Sequence, residues 1–303
     1  MSGQGLHVTR GLVHLALFAV IGASQIAPVA AAAQSAPDST TAAVGMVDDP
    51  RPVMPAEPPS VRALAEAMLG PAPADIPALL ALTRQPDFQT YDAAKKAREA
   101  RDWAGLCVYR ADNARLVASG VRPDVVMMGD SITENWARAA PDLIDGVRIL
   151  GRGISGQTSG QMLVRFQADV LSLRPRRVHI MAGTNDIAGN GGPTSPDAYR
   201  NNIVAMTELA RANGVDVVLA AIPPANRFFW NPAIQPAARI AELNAWLKAY
   251  AAEKGYRFID YGPVLTDERH GLRSDYSIDG VHPNRAGYAA MRDLMIQATD
   301  KTN

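Results

Sequence analysis

The sequence is poor in cysteine, and this excludes several kinds of chemistry. Cys107 is the single cysteine among 303 residues, so no intrachain disulfide can form. It lies far from the N-terminal apolar stretch, which excludes a lipid-modified N-terminal cysteine. No activating base is adjacent to it, so the pattern favours a buried structural cysteine over a catalytic thiol.

The sequence also has no net charge, since Lys plus Arg and Asp plus Glu number 30 each. Such a balance gives no electrostatic reason to bind nucleic acid, and no basic block with interleaved aromatic residues is present. No group of His, Cys, Asp and Glu has the spacing of metal ligands. We therefore expect no nucleic-acid partner, no metal and no cofactor.

The first 33 residues are typical of a cleavable signal peptide. Arg10 precedes an apolar stretch over residues 11–22, and the alanines at 31–33 fit an A-x-A cleavage site before Gln34. The alternative is an N-terminal membrane anchor, although the stretch is short for a stable span. The prediction is a secreted or periplasmic protein without integral membrane association after cleavage.

Three further segments follow the signal. Residues 34–60 are rich in Pro and Ala and are predicted to be a linker. Residues 61–102 contain two helical patterns, Val61–Leu69 and Tyr91–Arg101, and we interpret them as a helical N-terminal extension without a legible function. Residues 103–303 form the main domain.

Five apolar runs alternate with helical patterns in the main domain. Their nearly continuous hydrophobicity suits strands of a parallel sheet that is buried on both faces. The runs are Val125–Met128, Val147–Leu150, Val178–Ala182, Val215–Ile222 and Phe258–Ile259. Two of the helices carry apolar stripes, formed by Tyr199, Ile203, Met206 and Leu209 and by Ile240, Leu243, Leu247 and Tyr250. This alternation predicts a doubly wound α/β sandwich.

Polar and glycine-rich segments follow the predicted strands directly. They are Gly129–Ser131, Gly151–Gly153 and Gly183–Asp186. Parallel sheets of this kind bind ligands beyond the carboxyl ends of their strands, so these segments should cluster at one edge. Ser131 offers a hydroxyl there, although a serine in this position is often only a helix N-cap.

A base for that hydroxyl can be found by elimination among five histidines. Two lie in the predicted signal, His179 lies in a strand pattern, and His270 lies in a polar loop. His282 lies in a loop, and Asp279 precedes it by three residues. A hydroxyl, an imidazole and a carboxylate are the parts of nucleophilic acyl transfer. Asp130, beside the serine, is expected to be structural.

Acyl transfer also needs donors for the negative oxygen of the tetrahedral intermediate. The candidates are the backbone N–H groups of Ser131 and Gly153 and the side-chain amide of Asn185. Each of the last two has an alternative interpretation, because Gly153 is equally consistent with a tight turn and Asn185 with a helix cap.

Four blocks of this sequence, in this order, resemble the SGNH (GDSL-type) esterase/lipase superfamily. They are Gly129–Thr133, Gly153–Thr158, Gly183–Asp186 and Asp279–Pro283, and the resemblance covers roughly residues 103–300. It implies a flavodoxin-like three-layer α/β/α catalytic domain with a five-stranded parallel sheet.

The resemblance also implies roles for five residues. Ser131 would be the nucleophile, His282 its base and Asp279 the orienting partner of the base. Gly153 and Asn185 would join Ser131 in the oxyanion hole. The expected activity is ester hydrolysis through an acyl-enzyme on a small-molecule or glycan ester, with short-chain or acetyl esters favoured. Lysophospholipid and thioester substrates, and a non-catalytic module that binds envelope glycans, are the alternatives.

Two other patterns have competing interpretations. Phe229 and Trp230, in the loop after the fourth strand, are candidates for substrate binding, but aromatic residues in such a loop also pack as a lid or local core. Residues 151–156 match the dinucleotide fingerprint G-x-G-x-x-G. They follow the second strand rather than the first, and no acidic residue is placed to hold a ribose, so we do not expect NAD binding.

Overall fold

A computed structural model describes residues 55–140 and 147–299. The predicted signal and most of the predicted linker lie outside the described residues, so the signal remains a prediction. Within the described ranges, no helix combines the length and hydrophobicity needed to cross a membrane.

The sheet has five parallel strands in the order β2-β1-β3-β4-β5. Their bounds are β1 Val125–Gly129, β2 Ile149–Gly153, β3 Arg177–Met181, β4 Asp216–Ala220 and β5 Arg257–Ile259. The second strand is displaced from its predicted position. Gly151–Gly153 belong to β2 itself rather than to the loop after it, because Gly153 pairs in register with Gly129 at the end of β1.

Eleven helices accompany the strands in the described part of the chain. Those before the sheet are α1 Pro59–Met68, α2 Ile76–Thr83, α3 Pro86–Glu99 and α4 Arg110–Ser119. The others are α5 Ser131–Ala139, α6 Ser159–Asp169, α7 Thr184–Ala188, α8 Pro196–Ala212, α9 Ala237–Lys254, α10 Gly262–Leu265 and α11 Arg285–Thr299.

The sheet lies between two layers of helices, and alternate residues of β1 show this directly. Val126 and Met128 pack with residues of α6, α8 and α9 on one face. Val125 and Met127 pack with residues of α5 and α11 on the other. Both faces are therefore covered, as the apolar strands require. The predicted three-layer α/β/α fold with a five-stranded parallel sheet is confirmed.

The apolar stripe predicted for α9 is buried along its whole length. In α8 the prediction is wrong at one position, because Leu209 is 40% exposed. The buried arc of α8 is centred on Tyr199, Ile203 and Met206 and continues to Ala210. At 100° per residue, Leu209 falls about 80° outside the centre of that arc.

Helices α1–α3 pack against the main domain. Leu69, directly after α1, is only 2% exposed and lies in the same apolar cluster as Trp136 and Tyr288. The backbone N–H of Arg285 donates to its carbonyl at 3.1 Å. The helices also have a small core of their own, composed of Leu64, Leu79 and Phe88.

Candidate active site

Ser131 lies at the N-terminus of α5, one residue after the end of β1. Asp130 is the N-cap, and its Oδ1 accepts a hydrogen bond from the backbone N–H of Ile132 at 3.0 Å. The hydroxyl of Ser131 is thus not the capping group. Its own N–H is one of the first-turn donors for which a helix supplies no partner.

Ser131, His282 and Asp279 form one chain of contacts. Ser131 Oγ lies 2.8 Å from His282 Nε2, across 151 positions of sequence. His282 Nδ1 lies 2.7 Å from Asp279 Oδ2. All three residues are buried, at 4–5% exposure. If Nδ1 carries the ring proton toward Asp279, Nε2 is free to accept the proton of Ser131.

The loop that carries the imidazole is held by several hydrogen bonds. Asp279 Oδ1 accepts from the backbone N–H groups of Val281 and His282 at 2.9 and 2.8 Å. Gly280 has φ +79°, a left-handed conformation that favours glycine. Ser277 Oγ accepts from the Gly280 N–H at 2.9 Å and donates to the His282 carbonyl at 2.8 Å. Ser277 was not among the predicted site residues, although a serine two residues before Asp-Gly is a recognisable turn signal.

Electrostatics favour an ionised carboxylate beside an imidazole that holds its proton well. Burial would raise the pKa of Asp279, but the charge of His282 and the hydrogen bonds that the carboxylate accepts outweigh burial, so this pKa is lowered. Burial would likewise lower the pKa of His282, but the Asp279 carboxylate outweighs it and raises this pKa. The imidazolium that forms during proton transfer is therefore stabilised.

Gly153 ends β2, which is an edge strand of the described sheet. The next residue, Ile154, donates its N–H to the Gly129 carbonyl at 3.2 Å. Successive residues of a strand direct their backbone groups to opposite sides, so the N–H and carbonyl of Gly153 point away from β1. Tyr109 donates its hydroxyl hydrogen to that carbonyl. The Gly153 N–H therefore points out of the sheet, on the side of Tyr109.

The glycine at this position is explained by packing rather than by a tight turn. A Cβ on Gly153 would lie 2.6 Å from the Asp130 carbonyl oxygen and would clash with the backbone N of Glu134. Close contact between α5 and β2 thus requires glycine. The Glu134 carboxylate also accepts from Ser155 N–H at 2.8 Å and Ser155 Oγ at 2.6 Å, tying the loop after β2 to α5. Neither Tyr109 nor Glu134 was among the predicted site residues.

Asn185 lies inside α7, next to these groups. Gly183 is the N-cap of α7, so the helix-cap interpretation of Asn185 is wrong. Its Nδ2 donates to Asp130 Oδ2 at 3.2 Å and to the Gln157 carbonyl at 3.1 Å. Both amide hydrogens thus have acceptors. Asn185 thus contacts Asp130, the residue before Ser131. The role of Asn185 toward an oxyanion remains a prediction.

Two buried charges support the strand ends below the site. Burial raises the pKa of Asp130 to about 6, although the hydrogen bond from Ile132 opposes this. Asp130 therefore remains largely ionised at neutral pH. Arg165, fully buried in α6, donates to the Gly129 carbonyl at 2.9 Å and to Asp169 at 3.0 Å. These contacts fix the backbone that leads into Ser131.

A cavity of about 500 Å³ opens above the reacting groups. Ser131, Gly153 and His282 lie on its wall together with Tyr109 and Glu134. Helices α1 and α3 also line it. Their lining residues are Val61, Leu64, Ala65, Met68, Phe88, Tyr91, Asp92, Lys95 and Arg98. The predicted hydroxyl and base thus face a space of the size that holds small-molecule ligands.

Phe229 and Trp230 do not line this cavity. The Arg227 guanidinium lies 3.9 Å from the centre of the Phe229 ring. Trp230 stacks on buried Phe228 at 5.0 Å and donates its indole N–H to Asn190 at 3.1 Å. The structure therefore favours the alternative interpretation, in which this loop packs locally.

The remaining candidate side chains have structural surroundings. His179 is buried in β3, 3.2 Å from the Tyr261 hydroxyl, and burial lowers its pKa to about 4. His270 is exposed. Cys107 is half-buried rather than buried, and its thiol donates to the Asp102 carboxylate. Among the described residues, no three or more His, Cys, Asp or Glu side chains are grouped to hold a metal ion.

The fold and this site agree with one family. The sequence profile of the GDSL-like lipase/acylhydrolase family matches residues 127–290, more than half of the chain. The chain belongs to this family, and the family's members are carboxylic ester hydrolases. The superfamily resemblance predicted from the four sequence blocks is thereby confirmed.

The chain is also similar to individual proteins. A provisionally assigned acylhydrolase from Bacteroides fragilis has a crystal structure that is 46% identical, with a TM-score of 0.62, and the match covers 66% of this chain and 98% of that one. The uncharacterised lipoprotein YqeF of Bacillus subtilis is 37% identical over 118 residues, 33% of this chain and 49% of the relative. This chain thus spans about half the length of that protein. Esterase TesA of Pseudomonas aeruginosa is 26% identical over 172 residues, 52% of this chain and 79% of the esterase.

Proposed function

We propose that this protein hydrolyses carboxylic esters through an acyl-enzyme on Ser131. The observation that carries the proposal is the buried chain of contacts from Ser131 Oγ to His282 Nε2 at 2.8 Å and from His282 Nδ1 to Asp279 Oδ2 at 2.7 Å. These three residues face a cavity that can hold a small ester. A nucleophile, a base and an orienting group within hydrogen-bond reach are the signature of nucleophilic acyl transfer.

The proposed reaction has two steps. In the first, His282 Nε2 takes the Ser131 proton while Oγ attacks the ester carbonyl, and the alcohol leaves after His282 returns the proton to its oxygen. In the second, His282 takes a proton from water, and the resulting hydroxide attacks the acyl carbon. The acid is released when the bond to Oγ breaks and His282 returns the proton to Ser131. Asp279 keeps the imidazole in the required tautomer in both steps.

The oxyanion of each tetrahedral intermediate would be bound by backbone donors. The Ser131 N–H lies at the start of α5, where the helix dipole also favours negative charge. The Gly153 N–H points out of the sheet, because the adjacent Ile154 N–H occupies the ladder. We propose Asn185 as the third donor. It would share with the oxyanion the hydrogen that now points to Asp130, the longer of its two contacts.

For the substrate, we propose esters of short acyl groups, acetyl among them, on small alcohols that include sugars. The cavity volume is within the range of small-molecule sites. The similarity to Esterase TesA also supports an esterase. We further propose that the protein acts outside the cytoplasm after removal of residues 1–33, as the signal pattern indicates.

Substitution of the proposed nucleophile tests this function. Ser131→Ala should lower turnover of p-nitrophenyl acetate and p-nitrophenyl butyrate by at least about 10³-fold, since it removes the hydroxyl that forms the proposed acyl-enzyme. It should also abolish labelling by a fluorophosphonate probe, which a non-catalytic glycan-binding module would not show. Acetylated sugars, assayed in parallel, would report on the proposed alcohol.

The matched control is Ser172→Ala, at an exposed serine. It should retain labelling and turnover. If Ser131→Ala kept wild-type rates, or if the wild-type protein neither took the label nor cleaved any ester, the proposed function would be wrong.

A further inference from the structure

Part of the cavity wall comes from helices that lie outside the family profile. The profile begins at residue 127, whereas α1 and α3 span Pro59–Met68 and Pro86–Glu99. The Bacteroides fragilis structure is matched over 98% of its own length by 66% of this chain, so a third of this chain has no counterpart there. The part of the cavity wall that α1 and α3 form therefore lies outside the region that the family profile describes.

We infer that the apolar side chains of α1 and of the start of α3 that line the cavity, called the roof below, bind the acyl group of the ester and set the acyl length that the enzyme prefers. The inference rests on the proposed function. It names the roof residues Val61, Leu64, Ala65, Met68 and Phe88 as determinants of specificity.

The chemistry of the roof fits an apolar group. Its five named residues carry only aliphatic or aromatic carbon, apart from one thioether sulfur, and all of them line the cavity. The rest of α3 lies outside the roof and lines the cavity with the polar residues Tyr91, Asp92, Lys95 and Arg98. Val108 and Ile154, the latter directly after Gly153, also line the cavity. A substrate chain in contact with these apolar residues would exchange water for apolar surface.

The roof is fixed in place rather than loosely laid over the site. The Arg138 guanidinium of α5 forms a bidentate ion pair with Glu57, immediately before α1. Arg285, at the start of α11, donates to Glu66 of α1 at 2.6 Å. Buried Leu69 anchors the end of α1 in the main core. A wall held at three points can discriminate between ligands by size.

The order of the reaction assigns this wall to the acyl group rather than to the alcohol. The alcohol must leave the site before water can attack, while the acyl group stays bonded to Ser131 through both steps. A wall that is fixed in place therefore suits the group that remains bonded to the enzyme.

The size of the cavity favours acyl groups longer than acetyl within the short-chain range. Its volume of about 500 Å³ is that of a site for a complete small molecule, so an acetyl group would leave the roof in contact with water. Each methylene that reaches the roof should raise kcat/KM about fourfold. We expect kcat/KM to rise from acetyl to butyryl to hexanoyl esters.

Filling the pocket tests the inference. Ala65→Leu adds bulk at a cavity-lining position of α1, so kcat/KM for p-nitrophenyl hexanoate should fall by about 10-fold or more while that for the acetate stays within about twofold. Ala63→Leu makes the same change at an exposed position of the same helix, outside the lining. It should keep the wild-type chain-length profile.

Shortening a roof side chain gives a second test, which does not require the protein to accommodate a larger residue. Met68 and Leu82 are both partly buried members of the small core of the N-terminal helices, but only Met68 lines the cavity. Met68→Ala should lower the ratio of hexanoate to acetate kcat/KM by about fivefold or more, since it removes more than one methylene of contact surface. Leu82→Ala should leave the ratio unchanged, and circular dichroism verifies that both variants fold.

The outcomes separate the two proposals. An active wild-type enzyme whose ratio is the same in Ala65→Leu and Met68→Ala would overturn the role of the roof and leave the proposed function intact. The inference would also fail if these variants kept the acyl-length preference of the wild-type enzyme and changed only the relative rates among acetate esters of different alcohols. A wild-type enzyme that cleaves no ester would overturn both.

Discussion

At the start of α5, capping the helix and supplying a reactive hydroxyl are the roles of two different residues, Asp130 and Ser131. Asp130 accepts the hydrogen bond from Ile132 that caps α5, and Ser131 keeps its hydroxyl for His282. Because the cap is a carboxylate, it also adds negative charge near the imidazole and contributes to the raised pKa of His282. Two adjacent residues thus provide both a stable helix start and a poised hydroxyl.

The pKa of His282 should control the acid side of the activity profile. Only the neutral imidazole can accept the Ser131 proton, and this pKa is raised above its ordinary value of 6.5. We expect kcat/KM to fall as the pH drops below an apparent pKa above 6.5. Asp279→Asn removes the carboxylate that raises this pKa, so the acid limb should move to lower pH and kcat should fall on the order of 10³–10⁴-fold. A pH–rate profile with p-nitrophenyl butyrate measures both effects.

Asp275→Asn is the control for this profile. Asp275 lies four residues before Asp279 but is exposed, and it pairs with Arg273 at 2.7 Å. The acid limb of the Asp275→Asn variant should coincide with that of the wild-type enzyme. An Asp279→Asn variant whose limb stayed in place would show that the carboxylate does not set the pKa of the base.

At the scale of elements, the site depends on how closely α5 lies on β2. Gly153→Ala keeps the backbone N–H but places a methyl group against the Asp130 carbonyl and the Glu134 backbone N. Neither can move without shifting α5, so we expect a loss of about 1–3 kcal/mol in the free energy of unfolding. The proposed oxyanion donor would move as well, and kcat/KM should fall by about 10²-fold. Thermal melts and ester kinetics measure the two effects.

Gly160→Ala offers a comparison within the same part of the chain. Gly160 lies in α6, where an added Cβ would make only ordinary contacts, the nearest at 3.5 Å. Alanine there should be neutral or should stabilise the protein by up to about 1 kcal/mol. A native melting temperature and native activity in Gly153→Ala would contradict the close-packing argument.

At the scale of the whole molecule, the N-terminal helices and the main domain should unfold together. Leu69 is 2% exposed and packs with Trp136 and Tyr288 in the main core, although it belongs to the end of α1. Leu69→Ala should therefore lower the free energy of unfolding by about 2–5 kcal/mol in a single transition. Calorimetry would show one shifted peak rather than a new early one.

Leu79→Ala provides the complementary measurement. Leu79 is 3% exposed but packs in the small core of the N-terminal helices, away from the sheet. If the two cores are coupled, both variants should shift the same peak. An early, separate transition in either variant would show that the helices unfold on their own, contrary to this prediction.

The sequence predicted those parts of the molecule that depend on a local sequence pattern. The five strands follow from apolar runs, and the clustering of the polar segments after them follows from the rule that parallel strands end at one edge. His282 follows no strand directly, and only the superfamily resemblance implied its position beside Ser131. The roof could not be predicted, because nothing in the helical patterns of residues 61–102 indicates which surface they cover. Tyr109 and Glu134 were missed for the same reason. Their roles come from contacts with Gly153 and Ser155 that only the packed structure brings about.

The position of β2 at the margin of the described sheet has a consequence for association between molecules. An edge strand presents unpaired backbone groups that can pair with a strand of another chain. At the end of β2 this template is interrupted, because Tyr109 occupies the Gly153 carbonyl and the Gly153 N–H opens into a cavity walled by helices. The arrangement that presents a donor to the substrate thus also protects this part of the edge from strand addition and aggregation.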